Sequence, residues 1–160
     1  MPIHSLLATN PFFYYVDLDA ATHFYTDTLG LELIADFGIA RTVRTSPASF
    51  LTLMDIAHSL HKPNEAKAVT LAFVTDKVEA WYDYLQRKRV DIPYPLRPER
   101  NKAHESFVAL DPEGYFLEFE RFNPHPENHQ LLALLRNSRP LRTDTPGHLN
   151  VSATVLWLYY

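Results

Sequence analysis

The sequence predicts an α+β protein built from two copies of a strand–helix–three-strand unit. Three observations carry that prediction. An aromatic, β-favouring run at 12–16 leads into an amphipathic helical pattern, and the same succession returns at 69–89. A shift of sixty residues sets Phe13 on Phe73, Leu18 on Val78, Asp19 on Glu79, Ala20 on Ala80 and Tyr25 on Leu85, as an internal repeat would. Finally, Asp111-Pro112-Glu113-Gly114 reads as a tight turn feeding an alternating strand at 115–121. Pro112 presets φ at the second turn position, and Gly114 admits the left-handed conformation needed to leave the turn.

In the first unit, residues 12–16 form a strand bounded by Asn10-Pro11 and Asp17. Asp17 or Asp19 caps a helix with Leu18, Ala21, Tyr25 and Leu29 on one face and Gly30 as its stop. Strands follow at 31–37, 40–45 and 49–54, the last two joined around Ser46-Pro47. Residues 56–67, with His58, His61 and Pro63-Asn64, read as a linker. The second unit opens with a strand at 69–74. Asp76 and, three residues on, Glu79 suggest a capping box. Val78, Trp81, Tyr82, Leu85 and Arg89 share one helical face. Residues 92–96 are extended but interrupted by proline, so they suit a sheet edge. Strands at 107–110 and 115–121 close the unit as a hairpin.

Beyond Asn123-Pro124, residues 127–139 read as a helix carrying Leu131, Leu132, Leu134 and Leu135. A loop at 139–150 and a β-rich segment at 151–160 complete the chain. Such a strand needs cover, from its own sheet or from a second subunit. The expected organisation is one domain over 1–122, with modules at about 10–55 and 68–122. A C-terminal helix and strand extension at 123–160 would pack on that domain or on a partner subunit.

Composition excludes several function classes. A 160-residue chain that is 46% apolar and 13% aromatic can bury a substantial core. The net charge of −4 is mixed in sign and gives no footprint for nucleic acid. Without cysteine there is neither a disulfide framework nor a thiolate metal site, which fits a reducing compartment. The N-terminus has no signal-peptide pattern, and no apolar run is long enough to cross a bilayer. A cytoplasmic protein with no membrane partner is expected.

Period-2 alternation sends Leu117 and Phe119 to one face of the last strand and Phe116, Glu118 and Glu120 to the other. Glu118 is thus a mid-strand carboxylate between aromatic neighbours. Either it faces solvent, as polar residues of half-exposed antiparallel sheets do, or it faces a site where water is scarce.

The run Asp-Leu-Asp-Ala-Ala-Thr-His-Phe-Tyr-Thr-Asp-Thr-Leu-Gly-Leu-Glu-Leu at 17–33, with Asp-Pro-Glu-Gly-Tyr-Phe-Leu-Glu-Phe at 111–119, resembles the vicinal oxygen chelate superfamily. Glyoxalase I, extradiol dioxygenases, fosfomycin-resistance enzymes and bleomycin-resistance proteins belong to it. The resemblance spans about residues 10–122. It implies two βαβββ modules whose strands form a curled mixed sheet around a cup, with the helices outside.

In metal-dependent members the cup holds a divalent cation, bound by a His or Glu on the first and last strands of each module. Carried onto this chain, those positions fall on Asn10 and Thr70 and on about Thr52 and Glu118. Only Glu118 matches. One carboxylate, one amide and two hydroxyls are poor donors for Zn, Ni or Fe, so no cofactor is expected. The alternative is a divalent metal (Zn, Ni, Fe or Mn) held by irregular ligands around Glu118.

The family register also places Phe12, Tyr14, Ala72, Val74 and Phe116 beside these positions, as an apolar, aromatic-walled pocket of the kind that takes small molecules. His104 enters the strand that pairs with the Glu118 strand and would reach the cup mouth. The other histidines suit the surface. The expected protein binds a small aromatic or planar molecule, with Glu118 as the candidate catalytic group. A metal-dependent lyase or dioxygenase is the alternative. The pairing habits of the superfamily imply a homodimer.

Overall fold

The computed structural model describes residues 7–59, 61, 66–97 and 103–137. The first unit runs β1 (Phe12–Tyr15), α1 (Leu18–His23), β2 (Glu32–Asp36), β3 (Ala40–Ser46) and β4 (Ser49–Asp55). The second runs β5 (Thr70–Val74), α2 (Val78–Arg87), β6 (His104–Leu110) and β7 (Phe116–Phe122), and α3 (His129–Asn137) follows. The helix at 127–139 is therefore α3, entered through a 3₁₀ turn at Pro126–Asn128. The loop at 139–150 and the strand at 151–160 lie outside the described residues.

The α+β class holds, but the strands form two mixed sheets that do not close into a barrel. Their orders are β1-β4-β3-β2 and β5-β7-β6. The second sheet lacks the fourth strand expected at 92–96, where a single antiparallel bridge joins Tyr94 to Val108. Pro93 and Pro95 flank Tyr94 and have no N–H to donate to a ladder, so pairing stops after one residue.

The repeat is visible in the register. In parallel pairs, Phe12 lies opposite Thr52 and Ala72 opposite Glu118. In antiparallel pairs, Thr42 lies opposite Thr52 and Val108 opposite Glu118. Phe12 thus maps to Ala72, and Thr52 to Glu118.

Both helices stop in a left-handed residue. Asp17 caps α1 by accepting from the Ala20 N–H at 2.8 Å. The helix then widens into a π turn at Phe24–Thr28 before Gly30, at φ +71°. Ala21, Tyr25 and Leu29 are spaced four apart and all buried. Four-residue steps overshoot a 3.6-residue turn, and the wider π turn absorbs the overshoot. In the second unit the capping box is not formed. Lys77 stands at the N-cap without a side-chain bond, and Glu79 is held instead by the two guanidinium nitrogens of Arg121, at 2.8 and 2.6 Å. Arg89 leaves the helical face to become the exposed left-handed residue after α2, at φ +58°.

The Asp111 turn joins the units. The Gly114 N–H donates to the Asp111 carbonyl, and Gly114 sits at φ +84°. The Tyr115 ring stacks on Phe13 at 4.1 Å, with the Lys67 ammonium 4.8 Å from its centre. The Tyr115 hydroxyl accepts from the Tyr14 N–H and donates to the Tyr14 carbonyl. Glu113 accepts from the N–H groups of Val16 and Asp17. The edge of β1 away from β4 is thus satisfied by side chains of the second unit. One buried core runs through both units, from Phe13, Tyr25 and Leu53 to Leu85, Phe107 and Phe119.

Candidate functional site

Each sheet turns one face to the core and leaves the other open. Phe13, Tyr15, Leu117 and Phe119 point inward. Phe12, Tyr14, Thr70, Ala72, Val74, Phe116 and Glu118 alternate to the outer faces, as the pattern predicts.

The four family positions divide between the sheets. In the first unit, Thr52 is 3% exposed and its hydroxyl donates to the Asn10 side-chain oxygen at 3.1 Å. The hydroxyls of Thr42 and Thr52 lie 2.9 Å apart. This hydrogen-bonded set occupies the donor atoms of Asn10 and Thr52. Thr42 joins it from β3, directly opposite Thr52. In the second unit, Glu118 is flanked by Ala72 on β5 and Val108 on β6. Thr70 is exposed, one step along β5 on the same face. Among the described residues, no strand pairing links the two half-sites. The donor chemistry does not fit the divalent ion of metal-dependent relatives. Two hydroxyls and an amide are weak donors, and Asn10 and Thr52 already bond each other.

Glu118 has neighbours that the family positions do not include. Glu120 shares its face of β7, and His104 stands on β6 two residues before Ser106, the partner of Glu120. Side-chain donor atoms of His104, Glu118 and Glu120 lie within 4.8 Å of one another. Burial pushes the Glu120 carboxyl above its usual range, the Glu118 charge adds to that, and His104 works against it. Arg121 points the other way, bound to Glu79 and Glu105. Sequence reasoning singled out Glu118 and His104 but passed over Glu120. The signal was available in the alternation, which puts residues 118 and 120 on one face.

Aromatic rings border both half-sites. His61 packs on Tyr14 at 4.8 Å between ring centres, and Tyr94 meets Phe116 edge-on at 6.0 Å. Phe12 remains 49% exposed and Val74 46%. Two open depressions of about 540 and 320 Å³ lie elsewhere, beside Phe24 and Pro112 and beside Arg44 and Pro47. Among the described residues, the positions expected to wall an apolar pocket lie on open sheet faces. No helix among the described residues is long and apolar enough to cross a membrane.

Comparison with known proteins places these observations. No curated protein sequence matches the chain. A glyoxalase/bleomycin resistance protein/dioxygenase from Nocardioides shares the fold at TM-score 0.62 and 17% identity, covering 94% of this chain and 93% of that one. TioX from Micromonospora sp. ML1 aligns at TM-score 0.61 and 15% identity, over 72% of this chain and 98% of its own. Lactoylglutathione lyase from Agrobacterium tumefaciens aligns at 0.59 and 22%, over 76% and 96%. The family model for the Glyoxalase/Bleomycin resistance protein/Dioxygenase superfamily matches residues 7–119. The chain, with its two strand–helix–strand units and the Asp111 turn of the second packed against the first, belongs to that superfamily.

Proposed function

We propose that this protein binds a small aromatic or planar molecule on the open faces of its sheets, as a homodimer. In this reading Asn10, Thr52, Thr70 and Glu118 do not together form the ion site of metal-dependent relatives. The observation that supports it is the aromatic border of Phe12, Tyr14 with His61, and Phe116 with Tyr94, around polar groups too few and too weak for the family's ion. Such a surface offers stacking and apolar contact with a few orienting hydrogen bonds. A second copy laid over Phe12 and Val74 turns an open face into an enclosed one. Glu118 then orients the ligand by accepting a hydrogen bond.

Titration with N-phenyl-1-naphthylamine, a neutral planar fluorophore, tests this. Saturable binding is expected, weakened about tenfold or more in Phe116→Ala, a loss of about 1.4 kcal/mol. Glu118→Gln should change the affinity while leaving the melting temperature within a degree or two. Probe binding indifferent to Phe116→Ala would sink the reading. A second reading, a metal-dependent lyase or dioxygenase, is favoured by the imidazole of His104 beside the Glu118–Glu120 pair.

A further inference from the structure

We propose that His104, Glu118 and Glu120 form a site for one divalent first-row cation, which keeps Glu118 of the superfamily positions and replaces Asn10, Thr52 and Thr70 by His104 and Glu120. Three features of the β6–β7 hairpin carry this. The alternation of β7 puts two carboxylates on one face, two residues apart. The hairpin register, with His104 opposite Phe122 and Ser106 opposite Glu120, brings an imidazole diagonally beside the second carboxylate. The donor atoms of the three side chains all fall within 4.8 Å.

Donors around an ion with bonds of about 2.0–2.1 Å stand about 3.0–3.4 Å apart. Closing to that spacing calls for side-chain rotation of an exposed histidine and two half-buried glutamates. Charge favours the same outcome. The two carboxylates repel on a face bordered by Ala72, Val74, Val108 and Ser106, while the guanidinium of Arg121 is engaged by Glu79 and Glu105. A cation between the carboxylates relieves that repulsion.

The donor set also selects among ions. One imidazole nitrogen with two carboxylate oxygens suits Zn²⁺ or Mn²⁺ better than Mg²⁺ or Ca²⁺, which favour all-oxygen shells. Three protein donors leave positions for water or a ligand oxygen. The inference stands apart from the aromatic-binding reading, because the ion is measured without any organic ligand.

Calorimetric titration of the chelator-stripped full chain with zinc chloride, and separately with manganese chloride, decides it. One ion per subunit is expected, with Mg²⁺ and Ca²⁺ at least tenfold weaker. His104→Ala and Glu120→Gln should each weaken zinc at least tenfold, while Asn10→Ala and Thr70→Ala leave it unchanged. Circular dichroism verifies that each variant is folded. Three outcomes overturn the proposal: no zinc or manganese binding up to millimolar concentration; equal zinc affinity in the wild type and the His104→Ala/Glu120→Gln double variant; or loss of zinc on Asn10→Ala. None of these bears on the naphthylamine titration, which tests the other reading.

Discussion

Asp111 begins a turn, as its place before Pro112 announces, and it is also a carboxylate only 5% exposed in the core of the other unit. One of its oxygens accepts from the Tyr15 hydroxyl at 2.6 Å and from the Tyr25 hydroxyl at 3.2 Å. The other accepts from the N–H groups of Glu113 and Tyr115. Burial raises its pKa above the ordinary 3.8, and these four donors oppose that shift. Because the native pKa lies above the unfolded one, the native state holds this proton more tightly. The contribution to stability is therefore greatest below pH 3.8 and falls as pH rises through the native value. Tyr15→Phe removes the shortest donor bond to the charged form. It should cost about 1.5–3 kcal/mol at neutral pH and less once Asp111 is protonated. Urea midpoints at both pH values check this, and equal losses would show that the charge is not involved. Tyr25 was legible as a core aromatic from its helical spacing. The shared partner of the two tyrosine hydroxyls was not, because it lies far along the chain and no local pattern encodes it.

At the scale of elements, the two helix ends show what a sequence announces and what it conceals. Gly30 marks the first stop, where no side chain resists a positive φ. The second stop has the same geometry without a glycine. The Arg89 N–H donates to the Gln86 carbonyl and the Val90 N–H to the Leu85 carbonyl, with Arg89 left-handed between them. Arg89→Gly should thus stabilise the fold by about 0.5–1 kcal/mol. Gly30→Ala should destabilise it by about 1 kcal/mol, through backbone strain alone, since a Cβ there meets nothing within 4 Å. Thermal unfolding of both variants measures the pair, and a destabilising Arg89→Gly would refute the account. Elsewhere the elements followed their patterns. The strands at 40–45 and 49–54 appear as β3 and β4, each one residue longer. The capping box failed for a tertiary reason, since an arginine on β7 claims Glu79 and overrides a local motif.

For the whole molecule, the two units share one core, while their outer faces expose Phe12, Val74 and Tyr94. Exposed apolar side chains on open sheet faces suit an interaction site, and the proposed dimer would cover them. Sedimentation should give twice the chain mass of 18.5 kDa, and Phe12→Glu with Val74→Glu should return the monomer. A wild-type monomer at micromolar concentration would count against pairing. Part of the site's address was legible in sequence, because the family resemblance set Thr52 and Glu118 on the last strand of each module, where the strand registers hold them at equivalent positions. Its openness was not, because how two sheets sit against each other depends on contacts such as Phe13 with Tyr115 that no periodicity records. Those contacts have a consequence for the birth of the chain. The first unit takes part of its interior from the second, since the carboxylate that receives the hydroxyls of Tyr15 and Tyr25, and the groups that satisfy the edge of β1, come from the turn at 111–115. A ribosome must release the chain past Tyr115 before the first-made half closes. The maturation of the first half is thereby timed by the synthesis of its twin.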